Sequence, residues 1–183
     1  MRRRLLLLGS AAVLAGCAST PPRYYRLAPY SGAERAGAGM RIAVRNVGVP
    51  AALSATSLPM PGNSFEANSF PNDLWAASLA DMLQGTMVQN LAQRLPGDIV
   101  LAGGGAVGAP PDIYVEINVF SFSPDTAGTI TLQAQLATRH ATAQDWQVQN
   151  FTAKAAGGTT PETIVAAMSA LWGLAADAVA GMV

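Results

Sequence analysis

The chain is poor in the groups that do chemistry. Its 183 residues hold one cysteine and one histidine, and Lys154 is the single lysine. Charged residues make up 12% of the chain, against about 25% in an ordinary soluble domain. One cysteine excludes an internal disulfide. One histidine, His140, excludes a multi-imidazole metal site, because such sites usually need three or four N, S or O ligands. His140 reads instead as a surface residue at a strand end. Gly103-Gly104-Gly105 lacks the Gly-Lys-Ser/Thr of a phosphate loop and reads as a flexible turn. No Gly-x-Ser-x-Gly nucleophile elbow occurs. Asp73 and Asp81 lie eight apart, on roughly one side of an expected helix, and read as solvated. A working carboxylate pair needs a cleft and a raised pKa. These absences exclude the familiar catalytic constellations. The chain reads as a non-enzyme with no cofactor and no metal.

What is present begins at the N-terminus. Arg2-Arg3-Arg4 precede an apolar run from Leu5 to Ala15, and Leu14-Ala15-Gly16 precede Cys17. A basic patch, a short apolar run and a small-residue cleavage site read as a secretory signal. A cysteine directly after Leu-Ala-Gly makes it resemble a bacterial lipoprotein signal. In that class the bond before the cysteine is cut and the thiol is acylated. The run of about 11 residues is too short for a spanning helix, which needs about 20. The division expected is a signal peptide at 1–16, a lipidated tether at 17–22 and one folded domain at 23–183. Cys17 is the lipid-attachment residue. One acyl chain binds a membrane only marginally, but lipoproteins of this class carry several. An Asp after the cysteine usually holds such proteins at the inner membrane. Ala18 and Ser19 follow here, which points to the outer membrane, with the body facing the periplasm.

Loss of Arg2, Arg3 and Arg4 leaves eight basic against 11 acidic residues, a net charge of −3. That excludes the clustered basic face of a nucleic-acid binder. A surface of Ala, Gly, Thr, Ser and Gln is cheap to desolvate and suits packing against protein or lipid. A compositional bias of the source organism would look the same.

The patterning reads as α+β in a single domain. Arg23 to Leu27 is an aromatic-rich first strand, with Tyr24 and Tyr25 packing on the sheet or resting at a membrane interface. Arg41 to Val47 alternates as a second strand. Ala51 to Asn72 reads as a long loop or a pair of short edge strands. A helix is expected over Asp73 to Leu95, capped by Asn72 or Asp73, with Leu79, Leu83, Met87 and Leu91 on its stripe and Trp75, Met82, Val88 and Leu95 widening it. Ile99 to Leu101 is a short strand. An antiparallel meander follows. In it Ile113, Val115, Ile117 and Val119 share a face, Phe120 and Phe122 lie opposite Val119, and the Ile130 to Leu136 strand has one wet side. A parity change predicts a bulge near Asn150. The last helix runs from Pro161, with Thr159 and Glu162 as a capping box. Ile164, Met168, Leu171, Trp172, Ala175, Val179 and Met182 form its apolar face. Two main amphipathic helices on a mixed, largely antiparallel sheet result.

Several weak features fall in a telling order. Cys17 is followed by Tyr24-Tyr25-Arg26-Leu27, then Ile42-Ala43-Val44, Val47-Gly48-Val49-Pro50, Leu74-Trp75-Ala76, Tyr114-Val115-Glu116-Ile117 running to Phe120, and a terminal amphipathic helix. The order resembles the PqiC/YmbA-type ABC-type transport auxiliary lipoproteins across nearly the whole mature chain. The resemblance implies an outer-membrane lipoprotein that docks a periplasm-spanning MCE-domain protein, served by an inner-membrane permease system, in intermembrane lipid transport. It implies no catalytic residues and allows a homo-oligomer around the tube. Between Pro50 and Trp75 that family usually carries more charge than Glu66 and Asp73 supply here, so a contact through this segment would be less ionic. The alternative is a stand-alone periplasmic lipoprotein that binds a small apolar ligand between sheet and helices.

Overall fold

The computed structural model of the protein describes residues 20–63 and 65–183. The expected signal peptide, Cys17 and the start of the tether lie outside the described residues. A five-stranded sheet has the order β5 (Ile99–Ala102), β2 (Arg41–Gly48), β6 (Ile113–Pro124), β7 (Thr129–His140), β8 (Gln147–Ala156). Strand β2 runs parallel to β5 and β6, while β6, β7 and β8 form the antiparallel meander. A separate three-stranded sheet has β1 (Arg23–Tyr25) parallel and β3 (Ser57–Pro59) antiparallel to a central β4 (Ser69–Trp75). Helix α1 (Leu79–Arg94) packs over β2 and β5, and α2 (Pro161–Ala180) over β7 and β8. Both helices also pack on each other. The fold is α+β, with mixed sheets whose longest registers are antiparallel.

The alternation expected from the sequence holds, with two shifts that keep apolar side chains inside. In β2 the register with β6 slips between Val44 and Val47, so Arg45 and Asn46 both face out and Val47 returns to the core. In β6 it slips between Val119 and Ser121. Phe120 turns outward, and Phe122 becomes fully buried on the same side as Val119. The two phenylalanines therefore do not share a face. The bulge expected near Asn150 is absent, because β7 and β8 stay in register from Thr129–Ala156 to Thr138–Gln147. Val148 and Phe151 simply occupy opposite faces, which changes the parity without a bulge.

The expected helix start at Asp73 is also corrected. Asp73, Leu74 and Trp75 are the end of β4, paired with Arg23, Tyr24 and Tyr25. A bridge from Arg23 Nε to Asp73 Oδ1 at 2.7 Å and the burial of Trp75 favour the strand over helical propensity. The cap of α1 is Ser78, whose Oγ accepts from the Asp81 N–H at 3.1 Å and whose hydroxyl donates to the Asp81 carboxylate. From there Leu79, Leu83, Met87, Leu91 and Leu95 are buried as expected. Of the two readings of residues 51–72, the short strands are present, after a 3-10 turn at Ala51–Leu53.

Helix α2 is capped by Thr160, not Thr159, with Thr160 Oγ1 accepting from the Thr163 N–H. By length and composition α2 could cross a membrane, but 67% of its most apolar window is buried inside the protein. It is a core helix. Trp172, fully buried, donates from Nε1 to the Leu83 carbonyl at 2.9 Å and lies 6.3 Å from the Phe122 ring centre. That bond satisfies the one polar atom of a large apolar side chain and ties α2 to α1.

Candidate interaction surface

Both helices pack on one side of the five-stranded sheet, and among the described residues no further layer covers its other face. Outward positions of β2, β6, β7 and β8 bring Arg45, Tyr114, Glu116, Arg139 and Val148 to this face, and Trp146 enters just before β8. The Arg45 Nη1 donates to Glu116 Oε1 at 2.6 Å. The Tyr114 ring has the Arg45 guanidinium 6.0 Å and the Arg139 guanidinium 5.3 Å from its centre. Arg139 also lies 5.1 Å from the centre of the Trp146 ring and donates from Nη1 to the Ala143 carbonyl at 2.9 Å. Its Nε is buried with no hydrogen-bond partner, in keeping with a guanidinium held between two rings. A shallow depression of about 710 Å³ opens here, floored by the end of β2 and the middle of β6 and β7 and walled by Trp146 and Val148.

A second hollow, about 460 Å³, lies between the β3–β4 hairpin and the far end of β6 and β7. Met60, Phe65, Trp75, Phe122 and Pro124 line it with polar neighbours. The β6–β7 turn beside it is rigid: Asp125 Oδ1 accepts from the backbone of Ala127 and Thr129, and Gly128 takes a φ of +76°.

The residues weighed for chemistry do not meet. His140 is exposed at the end of β7, and Lys154 is exposed on β8. Gly103-Gly104-Gly105 turns away from β5, with the Gln84 side chain donating to the Val44 and Gly103 carbonyls. Asp73 and Asp81 do not share a helix side; the first is neutralised by Arg23 in β4 and the second serves the α1 cap. Asp73 is buried, not solvated. Among the described residues no group of three His, Cys, Asp or Glu is placed to hold a metal ion.

Two polar clusters and one further ion pair escaped the sequence reading. Arg94, fully buried at the end of α1, donates from Nε to Asp177 Oδ1 at 2.6 Å, from Nη1 to the carbonyls of Tyr30 and Asn90, and from Nη2 to that of Gly173. It fastens the irregular segment after β1 to both helices. The other cluster surrounds Glu162. Its Oε1 accepts from the Tyr25 hydroxyl at 2.6 Å and from Arg23 Nη1 at 3.0 Å. The bond to Glu162 pushes the Tyr25 phenol up to about 12, and the same bond holds the Glu162 carboxyl below its usual range. Arg41 forks onto Asp112 in a like manner, at 3.1 and 2.8 Å, and with its backbone N–H lowers that carboxyl to about 2. In each case the partner sits scores of residues away, so neither helix nor strand periodicity marks it.

The family model of the ABC-type transport auxiliary lipoprotein component matches residues 25–180. The chain belongs to this family. A solved structure of an uncharacterised protein superposes with a TM-score of 0.75 at 19% identity, over 89% of this chain and 99% of its own. A DUF330 protein from Xanthomonas campestris superposes at 0.72 and 15% identity, over 87% of this chain and 93% of its own. These likenesses are of fold. No curated protein matches the sequence. The family is one of lipoproteins that accompany ABC-type transporters, so the expected membership holds.

Proposed function

We propose that the chain is a non-enzymatic lipoprotein, acylated at Cys17 and seated on the periplasmic side of the outer membrane. There it docks the periplasm-spanning MCE-domain component of an ABC-type lipid transport system, whose permease lies in the inner membrane. Several copies surround one tube. No metal or cofactor enters this role. Family membership over residues 25–180 supports the transport setting. The observation that carries the docking role is the uncovered sheet face with Arg45, Tyr114, Arg139 and Trp146, since arginine and aromatic side chains supply most of the energy in protein contacts. Against the apolar-ligand alternative, the layer between sheet and helices is filled by Leu83, Phe122, Leu132, Met168 and Trp172, all fully buried.

The test is a photo-crosslinking amino acid in place of Val148, exposed on the same face, in the full-length chain in its native membranes. An adduct with an MCE-domain protein is the expected result. Adducts only with unrelated proteins, or none, overturn the docking role. Mass spectrometry of the N-terminal peptide tests the anchor separately, and a bare thiol at Cys17 overturns it.

A further inference from the structure

We propose that the tip of the β3–β4 hairpin is a second contact with the bilayer, resting on the reading that Cys17 is acylated. The described part of the tip, residues 60–63 and 65–68, closes through a bond from the Met60 N–H to the Asn68 carbonyl at 2.9 Å. Asn63 accepts from the Phe65 N–H at 2.9 Å, which holds the turn around Phe65. Phe65 is 97% exposed and Met60 is 38% exposed. Among the described residues Phe65 is the large apolar side chain that stands furthest into solvent. The two flank a hairpin whose one charge among the described residues 60–68 is Glu66, itself accepting from Asn68 at 3.1 Å.

The topology sets this tip beside the tether. Strand β1 is parallel to β4, with Arg23 opposite Asp73. The chain therefore enters β1 from the same end of the sheet at which the hairpin turns. From Asp73 back to Ser69, β4 continues four residues past Arg23, about 13 Å at strand rise. The six steps from Cys17 to Arg23 span at most about 20 Å. A lipid at position 17 thus holds the bilayer within reach of the tip and cannot hold it far away. A lipid surface is the occupant that this geometry selects, because the exposed Phe65 and Met60 side chains, carried on a nearly uncharged turn, gain by burying apolar surface at the headgroup–acyl boundary.

The experiment uses the full-length lipidated protein with Phe65→Cys, labelled with the environment-sensitive dye NBD, in vesicles of phosphatidylethanolamine and phosphatidylglycerol. Asn150→Cys, on the outer sheet face, is the comparison site. Flotation with the vesicles reports the anchor. The expected result is flotation, a blue-shifted emission at position 65 quenched by spin-labelled lipid, and a water-like unquenched emission at 150. Flotation with a water-like emission at 65 overturns the inference while leaving the anchor intact. A blue shift without quenching by lipid, as contact with a second copy would give, overturns it too. Failure to float overturns the anchor and this inference with it.

Discussion

Arg94 and Asp177, 83 residues apart, meet at 2.6 Å with the guanidinium fully buried and the carboxylate reached by solvent. The pair joins the last turn of α1 to the last turns of α2, and three backbone carbonyls complete the guanidinium's bonds. The asymmetry in burial orders the cost of removing either partner. Arg94→Ala leaves a hole, removes the donor to the Tyr30 carbonyl and the partner of Asp177, and is expected to cost about 3–5 kcal/mol. Asp177→Asn keeps an acceptor in a wet place and is expected to cost about 1–2 kcal/mol. Urea midpoints at equal m-value measure both, and equal costs would refute the ordering.

Two helical glycines separate in the same assay. A Cβ on Gly85 of α1 meets no heavy atom within 4 Å. Gly85→Ala is therefore expected to stabilise the protein by about 1 kcal/mol, through helix propensity alone. A Cβ on Gly173 of α2 runs into Tyr30 at 2.7 Å. Gly173→Ala is expected to destabilise by about 1–3 kcal/mol, as overpacking does, and to loosen the segment that Arg94 fastens. Thermal denaturation of the two variants gives opposite shifts in Tm.

The ion pairs fix the pH response. Asp112 is lowered from 3.8 to about 2 by Arg41. A depressed carboxyl contributes stability that is full above its unfolded pKa and is lost as pH falls through its folded one. Asp112→Asn is thus expected to remove part of the acid sensitivity between pH ~4 and ~2, measured as the slope of unfolding free energy against pH. Tyr25 works in the opposite sense. Its phenol is raised from 10.0 to about 12 by Glu162. Its contribution is present below the ordinary phenol pKa and disappears as pH rises through the raised value. Absorbance titration of tyrosinate is expected to show one late component that vanishes in Tyr25→Phe.

The open sheet face makes a functional prediction that separates from stability. Trp146 stands at the edge of the sheet and packs on Arg139 without entering the core. Trp146→Ala is expected to change stability by no more than about 0.5 kcal/mol and to lower crosslinking from position 148 to the proposed MCE-domain partner several-fold. Unchanged capture would move the docking surface elsewhere.

The strands and both helices were legible because one-sided burial writes itself into the sequence with period 2 or 3.6. Leu79 to Leu91 and Ile164 to Val179 marked their helices, and Ile130 to Leu136 its strand. Apart from the α2 cap, read one residue early at Thr159, the errors have one cause. Asp73–Trp75 pairs with β1, and the bulge at Phe120 answers to β7, so both depend on neighbours remote in sequence. The bulge read at Asn150 came from the same blindness: alternating apolar residues on two usable faces cannot be told from a slip in register without the partner strand. Of the candidate surface, Trp146 and Val148 were legible as apolar residues of the meander, but their outward direction was not. The Arg94 and Glu162 clusters were illegible altogether, since single charged residues carry no period. Order and spacing across the chain pointed to the family where no single motif was specific.

The way β1 joins the body bears on how the protein takes a mechanical load. Three residues lie in parallel register with β4, and Arg23 is clamped by both Asp73 and Glu162. Tension arriving along the chain from upstream runs down the axis of β1. The hydrogen bonds to β4 cross that axis, so they are sheared together instead of being peeled one by one. The Arg23 clamps add resistance at the very point of entry. A load entering through the proposed anchor at Cys17 would therefore meet these bonds in shear before it reached the core.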